Sequence, residues 1–187
     1  MSNAILIPGR PDIDQHYDPS LPSNSQNYWF AWLQRQLILK DIHAVSIEPP
    51  FPFRPRYEEW KKEFERFDIT PDTILVGHSC GGGFLVRYLS EHKDLKVDKV
   101  VLVAPWTNPL NYEVSDTADF FDFAIDPDFS SRTAETTVFI SSDDEPSVVK
   151  TVDMLKEQVQ GIEYREYADR GHFKDKEFPE LLKEITS

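Results

Sequence analysis

In this chain of 187 residues, one short segment carries most of the chemical promise. Gly77-His78-Ser79-Cys80-Gly81 places a serine between two glycines at G-x-S-x-G spacing. A serine hydroxyl becomes a useful nucleophile when a turn exposes it and a neighbouring base takes its proton. The flanks supply that turn. Thr73-Ile74-Leu75-Val76 reads as a buried strand, and Phe84, Leu85, Tyr88 and Leu89 follow at helical spacing. A strand-to-helix turn this sharp strains its central residue, and it brings together the residues two before and two after, so both must be tiny. Ser79 is therefore the candidate nucleophile, set near a helix N-terminus that favours developing negative charge. The bland alternative is a glycine-rich turn that only packs a helix on a strand. A phosphate loop is a poorer fit: no G-x-x-x-x-G-K-[ST] run occurs, and Ser79 interrupts the dinucleotide glycine pattern.

A base must lie within reach of that serine. Of five histidines, His16 falls in an N-terminal loop, His43 opens a strand, His78 sits inside the serine turn and His92 ends a helix. His172, in Asp169-Arg170-Gly171-His172-Phe173, directly follows the last expected strand. Loops at the carboxyl edge of a doubly wound sheet face one another across the binding crevice. The order Ser, then Asp, then His matches the catalytic triad of α/β-hydrolases, so His172 is the expected base. The acid should follow the preceding strand, where the chain reads Ser141-Ser142-Asp143-Asp144-Glu145-Pro146. A carboxylate there would hold the imidazole tautomer and stabilise the imidazolium. Asp144 is preferred, with Asp143 as the alternative acid; either could instead cap the helix expected from residue 147.

An oxyanion hole should combine the Cys80 N–H with a second N–H from the loop after the first strand, Pro8-Gly9-Arg10. Proline has no N–H, so Gly9 or Arg10 must supply it. Cys80 itself reads as a small packing residue beside the serine rather than a thiol nucleophile. No H-E-x-x-H or comparable metal-ligand spacing appears, so neither metal nor cofactor is expected.

The elements that position these residues follow from periodicity. Strands are expected at 4–7, 44–47, 73–76, 99–103, 137–140 and 163–167. Most are continuous apolar runs, as in a parallel sheet covered on both faces. Helices are expected at 26–39, 57–67, 82–91, 147–159 and 177–185. The alternation implies an α/β fold, a doubly wound, mostly parallel sheet with helices on both faces, in one domain spanning 1–187 with a minimal lid or none. Two stretches resist the pattern. Residues 48–56 hold Pro49, Pro50, Pro52 and Pro55 around Phe51 and Phe53. Residues 105–129 are rich in acidic and aromatic side chains, including Trp106, Tyr112, Phe120, Phe121, Phe123 and Phe129. Both read as loops or short helices at the carboxyl edge, with pocket lining and peripheral core as equal alternatives.

Composition sets the wider bounds. A net charge of −13 repels phosphate backbones and anionic lipid, so no nucleic acid or membrane partner is expected. The single cysteine permits no internal disulfide. The opening apolar run stops at Pro8 and no basic region precedes it, unlike a signal peptide, and no run reaches a membrane span. A cytoplasmic location is the default expectation.

Taken together, the opening Ile5-Leu6-Ile7-Pro8-Gly9, Trp29-Phe30-Ala31-Trp32-Leu33, the serine turn, Val101-Leu102-Val103-Ala104, Ser142-Asp143-Asp144 and Gly171-His172-Phe173 resemble a known family. It is that of the small serine hydrolases related to retinoblastoma-binding protein nine. The resemblance covers nearly the whole chain and implies an α/β-hydrolase fold and a Ser-His-Asp triad. In that family the aspartate nearer the following proline is usually catalytic, which supports Asp144, although here Glu145 intervenes before Pro146. The expected activity is hydrolysis of a small ester, less readily a thioester or amide, with a small-molecule acyl substrate. The alternative is a protein-binding module on the same scaffold. No Leu-x-Cys-x-Glu motif is present to support a retinoblastoma-type partner. Oligomeric state is not legible.

Overall fold

The computed structural model describes residues 2–110 and 118–187. Tyr112, one of the aromatic residues singled out above, lies outside them. Six strands form a single sheet: β1 (Asn3–Ile7), β2 (His43–Ser46), β3 (Thr73–His78), β4 (Val97–Val103), β5 (Thr133–Ser141) and β6 (Ile162–Tyr167). Their order is β2-β1-β3-β4-β5-β6, and every neighbouring pair is parallel. The helices among the described residues are α1 (Ile13–Tyr17), α2 (Phe30–Ile38), α3 (Tyr57–Phe64), α4 (Cys80–Glu91), α5 (Ala118–Phe121), α6 (Pro146–Gln158) and α7 (Pro179–Thr186). This is the expected α/β architecture, with a sheet that is parallel throughout.

The sheet is buried because its central strands are apolar on both faces. Residues 4–7 of β1 and all of β3 are buried. Chain direction reverses at β1: the first crossover runs outward to β2, and the next returns across β1 to β3. Right-handed crossovers therefore place α2 on one face and α3, α4 and α6 on the other. Ring contacts bear this out. Phe178, at the start of α7, meets Trp29 (6.1 Å) and Phe139 (5.2 Å) on the α2 face. Phe84 of α4 gathers Tyr57, Phe64 and Phe120 within 5.4–6.3 Å on the other.

Among the departures from expectation, two boundaries and one additional helix have identifiable reasons. The helix expected at 26–39 is broken: a 3-10 turn spans Asn24–Gln26, Tyr28 takes φ 49°, and α2 begins only at Phe30. The break turns the Trp29 indole into the core. Strand β5 starts four residues earlier than its apolar run, because Glu135 lies opposite Lys99 and pairs with it at 3.2 Å. Cross-strand charge pairs of this kind support polar strand ends. Helix α1 has no buried residue and therefore no apolar stripe to reveal it. Among the described residues, no helix is long and apolar enough to cross a membrane.

Helix α4 is fixed at its far end by Arg132, whose guanidinium is buried. It donates to the carbonyls of Leu89 (2.9 Å) and Lys93 (3.2 Å) and pairs with Asp126. A cation is favourable at a helix C-terminus, where carbonyls lack partners. Replacing it strands both carbonyls and the carboxylate. Arg132→Met is expected to lower unfolding free energy in urea by about 2 kcal/mol, the scale of hydrogen bonds to a buried charged group.

Candidate active site

Ser79 joins β3 to α4 with φ 54° and ψ −119°, a conformation costly for any residue with a side chain. Three backbone hydrogen bonds hold it there. Its N–H donates to the Val103 carbonyl (2.9 Å), and its own carbonyl accepts from the N–H groups of Gly83 and Trp106 (3.0 Å each). The turn closes because Gly77 and Gly81 are bare. A Cβ on Gly77 would come within 2.6 Å of the Gly81 carbonyl oxygen, and one on Gly81 within 2.3 Å of the Ile7 oxygen. The expected close approach of these two glycines is thus observed, and the bareness of Gly81 also lets the end of β1 lie against the turn.

The pairing of His172 is equally specific. Its Nδ1 lies 2.8 Å and 3.0 Å from the two carboxylate oxygens of Asp144. The Asp144 side chain is fully buried, while that of His172 is 16% exposed. Asp144 also accepts the Glu145 N–H at 2.7 Å, at the N-terminus of α6, where the helix dipole favours negative charge. Asp143 turns away from the imidazole. It accepts from the Ser141 hydroxyl (2.5 Å) and the Gly171 N–H (2.9 Å), and these bonds, the hydroxyl first, hold its carboxyl below the usual range. Ser141 in turn accepts the Arg170 N–H at 3.0 Å. One aspartate meets the ring and the other braces the loop that carries it.

Ser79 and His172 both line a cavity of about 440 Å³. It opens at the carboxyl ends of β1 and β3, where strand order reverses, the crevice in which doubly wound sheets bind ligands. Gly9 and Arg10 form the wall beside Ser79: a Cβ on Gly9 would lie 2.9 Å from the Ser79 Cβ and 3.4 Å from its Oγ. Cys80 is fully buried at the first position of α4, and burial pushes its thiol well above the usual range, in keeping with a packing role. Helix α1 supplies Gln15 and His16 to the wall, so a short segment after β1 partly roofs the cavity. The aromatic residues of the irregular stretches divide. Trp106 lines the cavity, whereas Phe120 and Phe129 are core. Phe51 is half exposed, and Phe53 meets His16 at 4.9 Å.

A family model described as "Serine hydrolase" matches residues 19–181. The chain belongs to the serine hydrolase family. It is 23% identical to serine hydrolase RBBP9 of Rattus norvegicus over 189 residues, covering 100% of this chain and 95% of that protein. It is 32% identical to the putative hydrolase YdeN of Bacillus subtilis over 92 residues, 47% of this chain and 48% of YdeN. In three dimensions it resembles the crystal structure of the B. subtilis ydeN gene product with a TM-score of 0.82 and 21% identity, covering 100% and 97% of the two chains. Est1E from Butyrivibrio proteoclasticus matches at TM-score 0.66 and 13% identity, covering 98% of this chain and 85% of that one. These likenesses carry the α/β-hydrolase fold, and family membership supports hydrolase activity.

The sequence pattern assigns no role to His78 or Trp29 of this hydrolase. His78 is 3% exposed, and its Nε2 lies 2.9 Å from the His172 carbonyl oxygen. The only cue was its place inside the serine turn. Burial, and then the charge of His172, depress its pKa to about 3 from 6.5, so it is neutral and donates through Nε2–H. The unfolded chain binds a proton below about pH 6.5 that the native state refuses until about pH 3. Stability therefore is full above pH 6.5 and falls as pH drops through that window, by up to ~1.4 kcal/mol per pH unit. Urea titrations at pH 7, 6, 5 and 4 are expected to show this decline, and His78→Gln to make it shallower by about one proton's slope.

Proposed function

We propose that the protein is a carboxylesterase-like serine hydrolase acting on small esters through Ser79, His172 and Asp144. The observation that carries this reading is the bond from His172 Nδ1 to the buried Asp144 carboxylate, with His172 lining the same cavity as a serine held at positive φ. With Nδ1 committed to Asp144, Nε2 is left to exchange a proton with Ser79. The serine Oγ attacks the ester carbonyl as His172 takes its proton, and the Asp144 carboxylate stabilises the imidazolium. The negative oxygen of the tetrahedral intermediate is received by the Cys80 N–H at the start of α4 and by Gly9 or Arg10. His172 then protonates the departing alcohol. Water, activated by the same imidazole, releases the acid and restores Ser79.

The cavity argues for a compact substrate. Arg10, Asn24, Asn27, Glu48 and Lys174 share its wall with Leu21, Phe30 and Val148. Such a mixed lining suits a short acyl group with a polar body better than a long hydrocarbon chain, which would displace water from these polar groups and offer no hydrogen bond in its place.

A fluorophosphonate is expected to label Ser79 alone, and p-nitrophenyl butyrate to be hydrolysed faster than the palmitate ester. Peptide mapping that finds the adduct elsewhere, or none on folded protein, overturns the reading. Asp144→Asn should lower kcat by up to ~10⁴-fold with the fold intact, because the imidazole then loses its tautomer and its counter-charge. Asp143→Asn should cost only ~10-fold, through loosening of the loop. The double variant Asp144→Asn with Glu145→Gln tests for rescue by the adjacent carboxylate. Equal losses at Asp143 and Asp144 would contradict the separate roles argued above.

A further inference from the structure

Resting on that reading, we infer that His78 is a positioning residue that sets the distance between nucleophile and base by gripping the backbone of His172, with Trp29 gripping the next peptide. The loop needs such a grip. Gly171 takes φ 47° and Phe173 φ 53°, so left-handed residues flank His172 on both sides. A bulky residue at positive φ persists only where its surroundings over-determine it. Local bonds are few: the Phe173 N–H donates to the Arg170 carbonyl (3.0 Å), and Asp143 holds the Gly171 N–H. Two side chains from distant parts of the chain supply the rest. His78 Nε2–H donates to the His172 carbonyl at 2.9 Å, and Trp29 Nε1–H to the Phe173 carbonyl at 3.0 Å.

The placement of His78 gives the contact its meaning. It is the last residue of β3 and directly precedes Ser79. The donor that holds the base is therefore the residue next to the nucleophile, at the end of a rigid strand where it pairs in register with Val103 of β4. The base reaches the nucleophile's strand through one hydrogen bond, in addition to the long path through β5, β6 and their loops. His78 is itself clamped: Trp29 meets its ring edge-on at 5.7 Å, Phe30 lies at 6.2 Å, Tyr28 at 6.3 Å and the His172 ring at 4.9 Å. The charged groups that bear on it are His172 and Lys174. A second cation so close would oppose formation of the His172 imidazolium, and the neutral Nε2–H form avoids that cost.

The test compares wild type with His78→Leu, which removes the donor, and His78→Gln, whose amide nitrogen reaches a similar point. Using p-nitrophenyl butyrate, His78→Leu should lower kcat by ~100-fold with KM within ~2-fold, the scale expected when a base is displaced by about an ångström. His78→Gln should recover most of the loss, and Trp29→Phe, which removes the indole N–H together with part of the buried ring, should lower kcat by ~10-fold. In ¹⁵N-imidazole spectra of folded wild type, His78 should hold the Nε2–H tautomer without titrating from pH 5 to 9. Each of three results overturns the inference: His78→Leu within 3-fold of wild type, His78→Gln no better than His78→Leu, or a His78 that titrates or carries its proton on Nδ1. The spectra decide the matter even if His78→Leu does not fold. Ser79→Ala and fluorophosphonate labelling separate the two levels. A wild type that neither labels nor turns over ester overturns both, whereas Ser79-dependent turnover untouched by His78→Leu overturns this inference alone.

Discussion

The strained backbone of Ser79 is the constraint around which the rest of the structure is arranged. A residue at φ 54° and ψ −119° would relax if its neighbours allowed it. They do not, because three peptide groups from β4, α4 and the loop after β4 hold it in place. That arrangement needs β3, β4 and α4 to be rigid: β3 is buried along its whole length, β4 is buried from Val100 to Val103, and α4 buries ten of its twelve residues. It also needs the end of β1 to lie against Gly81, which forces the β1 loop to pass beside the serine. The Pro8–Arg10 loop is thereby placed beside Ser79 by the close approach of β1 to Gly81.

Topology explains why the cavity forms where it does. β1 and β3 are neighbours, but their outgoing connections leave toward opposite faces of the sheet. A crevice opens between those connections. The serine turn forms one side of it, Pro8 to Asp12 another, and the β6–α7 loop with His172 closes it. The roof is slight. Helix α1 contributes polar and aromatic side chains to the wall and buries none of them. Its attachment is the contact of His16 and Tyr17 with Phe53, together with the Arg10 bond to the Phe53 carbonyl (3.0 Å). The proline-rich stretch thus holds the roof through main chain and ring contacts, which its aromatic content alone did not indicate.

The legible parts of this protein were those governed by local patterning. The central strands were readable because buried parallel strands are continuous apolar runs, and β6 because its tyrosines and Ile162 alternate with charged residues. The serine turn was readable because tight backbone contact demands glycine at fixed spacing. Boundaries set by tertiary contacts were not. The break before α2 depends on Tyr28 at positive φ and on a hydrogen bond from Trp29 to a residue 144 positions away. The early start of β5 depends on a cross-strand ion pair. Trp106 and Phe120 could not be sorted into pocket and core, because both are aromatic residues in one irregular stretch and only their neighbours in space differ. His78 was hidden for a related reason. Its neighbour Ser79 explains the motif fully, so nothing in the pattern asks what the histidine does.

The two adjacent aspartates show how a one-residue offset separates the partner of the His172 ring from the brace of its loop. Leaving β5 through Ser141, the chain begins a turn in which successive side chains point to different sides. Asp143 falls on the side of the incoming 169–171 backbone and ties the two loops together through Ser141 and Gly171. Asp144 falls on the inner side, where its side chain is fully buried yet satisfied by an imidazole N–H and the first free peptide of α6. A buried carboxylate without those partners would be strongly destabilising. Pro146 fixes the start of α6 and with it the position of the Glu145 N–H. Glu145, the residue between this aspartate and the proline, therefore matters first through its peptide group: its N–H anchors Asp144, and its own exposed carboxylate takes no part in that bond.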